Sequence, residues 1–258
     1  MVMDRPDETR AGPIICYTGV MEATAAVSTA REHSRRLSYE EYLALPTDGR
    51  IVEWVDGEVI YHIPPNAPHQ NIVTLLITLL RNYVNRMAIG QVITAPFEVN
   101  LWPDGPSREP DLILVGNDQC ERLTDKRFEG APDLVVEVIC PTSVTIDRVD
   151  KYLEYEQAGV REYWIIDPRP RQEQADFFVR GESGRFVAAP VDEQGVYRST
   201  VIPGFRLRLD WLRHPESTDV ELALAWMLAD APELPEELRA VYRRMVELLG
   251  GGQWVSFQ

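Results

Sequence analysis

Apolar residues recur at helical spacing over 69–87, where Ile72, Leu75, Leu76, Leu79, Leu80 and Tyr83 share one face. Upstream, Ser38 and Glu41 stand three apart ahead of a short helix that Pro46 ends, a capping-box signature. IVEWV and EVIYH flank Asp56-Gly57 and read as a hairpin over 50–61. Downstream of the long helix, QVITAPFEVNLW alternates as one half-buried strand. EPDLILV (109–115) and PDLVVEVI (132–139) are continuous apolar runs, as expected of strands covered on both faces. A second helix over about 145–158 stops at Gly159, and REYWIID (161–167) returns as a strand. ADFFVR and GRFVAA predict another hairpin, and FRLRLDWL a last strand. Leu238, Val241, Tyr242, Met245, Leu248 and Leu249 form one stripe of a late helix ended by Gly250-Gly251-Gly252. The simpler expectation is that this helix packs back on the domain; a partner or dimer contact is the alternative.

The order helix, three strands, helix, strand from 69 to 167 predicts an α/β (α+β) fold with a central mixed sheet. The expected division is a disordered polar arm over 1–36, a core domain over 37–210 and a helical extension over 211–258. No internal repeat or low-complexity block is present. Cys16, Cys120 and Cys140 are odd in number and lack CxxC spacing, which argues against a disulfide framework and a zinc site and fits a reducing cytoplasm. No run approaches the length of a membrane span.

Two acids stand out in the apolar strands. Asp111 heads one run, and Glu137 lies inside another 26 residues later, with Val135 and Ile139 on its own face. A carboxylate there lacks water and needs a partner. A hard divalent ion is one solution; an arginine or backbone amides are the other. Glu53, between Ile51 and Val55, is a third acid on an apolar face, or an edge-strand residue reaching solvent. The net charge of −15 counts against tight non-specific grip on a duplex, which normally needs a basic face.

IVEWVDGEV, PPNAPHQNIVTLL, EPDLILV, APDLVVEVICPTS and DRVDKYLEYEQAGVREYWIIDP, in that order, resemble the Uma2 family of proposed restriction endonucleases, within the PD-(D/E)xK nuclease superfamily. The likeness covers roughly 37–210. It implies a restriction-endonuclease-like αβββαβ core with an N-terminal hairpin and added C-terminal strands and helices. It also implies metal-dependent hydrolysis of nucleic-acid phosphodiester bonds, DNA ahead of RNA; cysteine usage makes the expected location cytoplasmic, and the late helix stripe leaves a homodimer as one arrangement. Asp111 and Glu137 would be the metal carboxylates for Mg²⁺ or Mn²⁺, with the Val138 carbonyl as a further ligand and Glu53 as the additional acid. Ile139 stands where the superfamily pattern has lysine, and Lys151, one helix later, fits the migrated position, where it would align the attacking water. Taken from the residues alone, Lys151 reads instead as an i,i+4 ion pair with Asp147 on a solvated helix face. Cys140 reads as a small buried filler, His69 as a loop or N-cap histidine, and Tyr152, Tyr155, Tyr163 and Trp164 as packing aromatics. Two rivals remain at this level: a nuclease-fold binding module without cleavage, and a phosphoesterase acting on a small nucleotide. Crowded acids also predict that Asp111→Asn leaves the metal-free protein as stable as before, or slightly more so.

Overall fold

The computed structural model describes residues 36–46, 49–141 and 143–250. All of the expected arm over 1–36 except Arg36, together with Gly251 and Gly252, lies outside the described residues.

The elements are α1 (Tyr39–Leu43), β1 (Val52–Val55), β2 (Glu58–Tyr61), α2 (Ala67–Met87), β3 (Gly90–Thr94), β4 (Glu98–Asn100), β5 (Ser107–Arg108), β6 (Leu112–Gly116), β7 (Arg127–Glu129), β8 (Leu134–Val138), α3 (Lys151–Ala158), β9 (Glu162–Asp167), β10 (Gln174–Arg180), β11 (Phe186–Ala188), β12 (Val196–Arg198), β13 (Arg206–Arg208), α4 (Leu209–Arg213), α5 (Val220–Leu228) and α6 (Glu236–Leu249). A six-stranded sheet in the order β11-β10-β9-β8-β6-β3 is mixed, antiparallel throughout except that β8 and β9, joined through α3, run parallel. A five-stranded sheet, β2-β1-β5-β4-β7, carries the hairpin, and β12 pairs with β13.

Local chemistry accounts for most boundaries. Ser38 and Glu41 close a reciprocal capping box at α1. Asp56 and Gly57 both take positive φ, the geometry a two-residue turn needs to match strand twist. Asn66 caps α2 through the His69 amide, and Gly159 ends α3 at φ 100°. The start of the second helix departs from expectation: Ile146–Asp150 form a π turn ahead of α3, a widening often found beside functional groups.

Two predicted strands are corrected. The run QVITAPFEVNLW is not one strand but two, β3 and β4, which belong to different sheets. Pro96 lies between them and has no N–H to continue a ladder, so the chain changes sheet there. FRLRLDWL keeps only β13 as strand; Leu209–Arg213 wind into α4, burying Trp211 and Leu212.

The central strands are covered on both faces, as their continuous apolar runs require, and side-chain alternation divides the core in two. Leu112, Leu114, Leu134, Val136, Val138, Trp164 and Ile166 face a layer built from α2, α5 and Tyr242 of α6. Ile113, Val115, Val135, Ile139, Tyr163 and Ile165 face the other way, against Val99, Phe128 and Tyr155. Leu238, Met245 and Val246 of α6 also pack on the first core, whereas Val241 and Leu248 are exposed. Gly90 sits where β3 meets β6; a Cβ there would run into the Val115 carbonyl and approach the Gly116 Cα to 3.0 Å. Gly90→Ala is therefore expected to lower stability by about 1–3 kcal/mol through overpacking against backbone. A denaturant midpoint unchanged from wild type would mean that the β3–β6 pairing is looser than drawn.

Candidate active site

The second core layer is interrupted by acids. Asp111 shares side-chain parity with Ile113, and Glu137 sits between Val135 and Ile139, so both carboxylates emerge on that face. The antiparallel register pairing Leu112 with Val136 sets Asp111 opposite Glu137, and the Val138 amide donates to Asp111 Oδ2 at 2.8 Å. Val138 buries its side chain in the opposite core, leaving its backbone to line the cleft.

Lys151 enters from the first turn of α3. Its Nζ, buried, lies 2.8 Å from Glu137 Oε1, 3.1 Å from Glu53 Oε1 and 3.4 Å from Asp147 Oδ1. The Asp147 contact is the expected i,i+4 pair, but on a buried face rather than a solvated one. Burial pushes the pKa of this lysine down, yet Glu137, Glu53 and Asp147 outweigh it and hold it well above the usual range. Tyr155, one turn further along α3, donates its hydroxyl to Glu137 Oε1 at 2.8 Å. Residues 147, 151 and 155 thus share one helix face, a spacing visible in the sequence.

Glu53 is fully buried behind Lys151 rather than in solvent. Its Oε1 contacts Lys151 and accepts from the Glu109 amide; its Oε2 accepts from Arg108 at 2.9 Å and lies 3.0 Å from His62 Nε2. Burial opposes ionisation, but Lys151, His62 and Arg108 outweigh it and keep this carboxyl well below its ordinary range. Arg108, itself buried, forks onto Glu154 with two bonds of 2.7 Å, tying the hairpin to α3. Sequence reasoning missed Arg108, since its partners lie 55 and 46 positions away and leave no local pattern.

His69 is not a loop residue: it lies buried in the first turn of α2 with Nε2 3.2 Å from Asp111 Oδ2. Burial lowers its pKa, but the neighbouring Asp111 and Cys140 prevail and raise it to about 10. Cys140 is half-buried at the cleft wall rather than a core filler. Burial, opposed by Lys151 and reinforced by Asp147 and Asp111, pushes Glu137 up to about 8. Glu109, also overlooked in the strand pattern, is pushed by burial up to about 7, and its Oε2 is buried without a hydrogen-bond partner.

Together Asp111, Glu137, Val138, His69, Glu109 and Lys151 line a cleft of about 50 Å³. Among the described residues no three His, Cys, Asp or Glu side chains stand as a ready metal cage. A hard ion such as Mg²⁺ asks for only one or two carboxylates and keeps several waters. Among the acids gathered here Glu109 keeps Oε2 buried without a hydrogen-bond partner, an oxygen such an ion could take. The donor set therefore fits Mg²⁺ or Mn²⁺.

The family described as "Uma2: Putative restriction endonuclease" matches residues 39–210. The fold is similar to that of "a putative nuclease belonging to DUF820" from Anabaena variabilis, with a TM-score of 0.56 and 19% identity, over 69% of this chain and 98% of that one. No curated protein matches the chain. Among the described residues no helix is long and apolar enough to cross a membrane.

Proposed function

We propose that this chain, which belongs to the Uma2 family, hydrolyses nucleic-acid phosphodiester bonds, DNA ahead of RNA, with a divalent ion at the Asp111–Glu137 cleft. One observation carries the reading: two carboxylates set opposite each other on neighbouring strands, with the ammonium of Lys151 2.8 Å from one of them and facing the same cleft. Asp111, Glu137 and the Val138 carbonyl would hold Mg²⁺ or Mn²⁺, which when bound supplies Lewis acidity and makes water a better nucleophile near neutral pH.

The chain's own residues do the rest. Tyr155 fixes the Glu137 carboxyl by donating to Oε1. Lys151, held protonated, places a fixed positive charge where a phosphorane-like transition state gathers negative charge, and can orient the attacking water. Both Glu53 oxygens are engaged, so Glu53 serves this site by anchoring Lys151 rather than as an open ligand. His69 carries positive charge beside Asp111 across the neutral range.

The test is cleavage of plasmid and single-stranded DNA with Mg²⁺ or Mn²⁺ against an EDTA control. Glu137→Gln should lose at least ~10³-fold in rate while keeping its far-ultraviolet circular dichroism. Cleavage that survives in Glu137→Gln would rule out this site. A wild type inert with both ions would favour the binding-module reading, for which the net charge of −15 already speaks.

A further inference from the structure

Beside the cleft lies a larger groove of about 490 Å³. The two adjoin at Glu109, and elsewhere the hairpin separates them by alternation, groove residues on one face and cleft residues on the other. Glu109 lines both. At the start of β1, Arg50 and Val52 line the groove while Ile51 lines the cleft. At the end of β2, Tyr61 faces the groove while His62 and Ile63 face the cleft. Tyr61 and Ile63 are 50% and 71% exposed, so an apolar rim runs from one to the other.

The groove combines two kinds of side chain. Tyr61, Phe97 and Pro96 provide flat apolar surface, and Arg50, Lys126 and Arg127 provide positive charge. Arg50 lies over the Tyr61 ring at 5.1 Å, so cation and ring present one composite face. Of the acids here, Glu98 accepts from the hydroxyls of Tyr39 and Ser107, Glu109 lines the side shared with the cleft, and Glu129 pairs with Arg127. With Arg127 paired, Lys126 and the Arg50–Tyr61 face are what the groove offers an anion, in a chain with 26 basic and 41 acidic residues.

We propose that this groove binds a single-stranded stretch of nucleic acid, leading it to the Asp111–Glu137 cleft. The inference rests on the nuclease reading above and names the form of its substrate. Bases of an unpaired strand can turn onto Tyr61 and Phe97, and the phosphates between them can meet Lys126 and the Arg50 face. A duplex keeps its bases stacked inside, cannot reach ring faces set in a groove, and brings twice the charge against an acidic chain.

Binding is measured on the full chain in EDTA, so that no cleavage intervenes, by fluorescence anisotropy of a labelled oligothymidylate across a salt series. Tyr61→Ala, an exposed position, should weaken binding at least about fivefold, since a base–ring stack is lost. Lys126→Ala should flatten the slope of log affinity against log salt by about 0.7, the value for one phosphate contact on a single strand. A duplex of equal length should bind at least tenfold more weakly. Equal binding by wild type, Tyr61→Ala and Lys126→Ala overturns the proposal, as does a duplex that binds more tightly than the strand. Hydrolysis of bis(p-nitrophenyl) phosphate with Mn²⁺, which needs no groove, is scored separately on wild type. A protein that cuts this diester but fails the binding test loses the groove and keeps the catalytic reading; the reverse result keeps the groove and removes the catalytic reading.

Discussion

Lys151→Met is expected to lower the stability of the metal-free protein at pH 7 by about 3–5 kcal/mol, a large part of what holds a domain folded. The ammonium is buried and contacts Glu137, Glu53 and Asp147. Deleting it leaves three carboxyls in a medium that cannot solvate their charge. The loss should shrink toward pH 5, because acids that protonate no longer need a cation. Removing an acid whose cation is gone should help: Glu137→Gln in the Lys151→Met background should recover about 1 kcal/mol, whereas Glu53→Gln, its carboxylate still held by Arg108 and His62, should not. Nuclease activity should fall by ~10²–10⁴, the range for a lost proton-handling or charge-stabilising group. Urea unfolding at pH 5 and 7 decides the stability part. A loss under about 1 kcal/mol, unchanged with pH, would mean that water already screens this lysine from its neighbours.

For Asp111→Asn the fold reverses the sign expected from crowding alone. The carboxylate is not only one of several repelling acids; it faces His69 at 3.2 Å and accepts from the Val138 amide. His69 is raised to about 10 in the folded protein against an ordinary 6.5. A group raised on folding contributes stability that is fully present below its unfolded pKa and is lost as pH climbs through the folded one. Wild type should thus lose stability between pH 6.5 and 10. Asp111→Asn should start about 1–3 kcal/mol lower at pH 6 and show little of that decline. It should also forfeit any thermal stabilisation by Mn²⁺, along with at least ~10³-fold in cleavage rate. Parallel pH–stability curves for the two proteins would show that His69 draws its charge from another source. A gain in stability at pH 6 would restore the repulsion argument.

Periodicity alone was enough to locate the helices at 67–87 and 236–249, the Asp56-Gly57 hairpin and the apolar strands around 112–116, 134–138 and 162–167, because those signals are local. Parity along two such strands was enough to put Asp111 and Glu137 on one face once the strands were neighbours. The break at Pro96 also carried a local sign, the missing N–H, although alternation on either side hid the change of sheet. What alternation and spacing could not reach was pairing across the chain. Arg108 meets Glu53 and Glu154 from 55 and 46 residues away, His69 meets Asp111 from 42, and Lys151 reaches Glu53 from nearly a hundred. Each residue type was visible, but whether a buried acid is neutralised by an ion, a lysine or a histidine depends on distances fixed only when two sheets and a helix close around it. Local pattern reports which face a side chain takes; the charge it can bear is set by what the fold brings within about 3 Å of it.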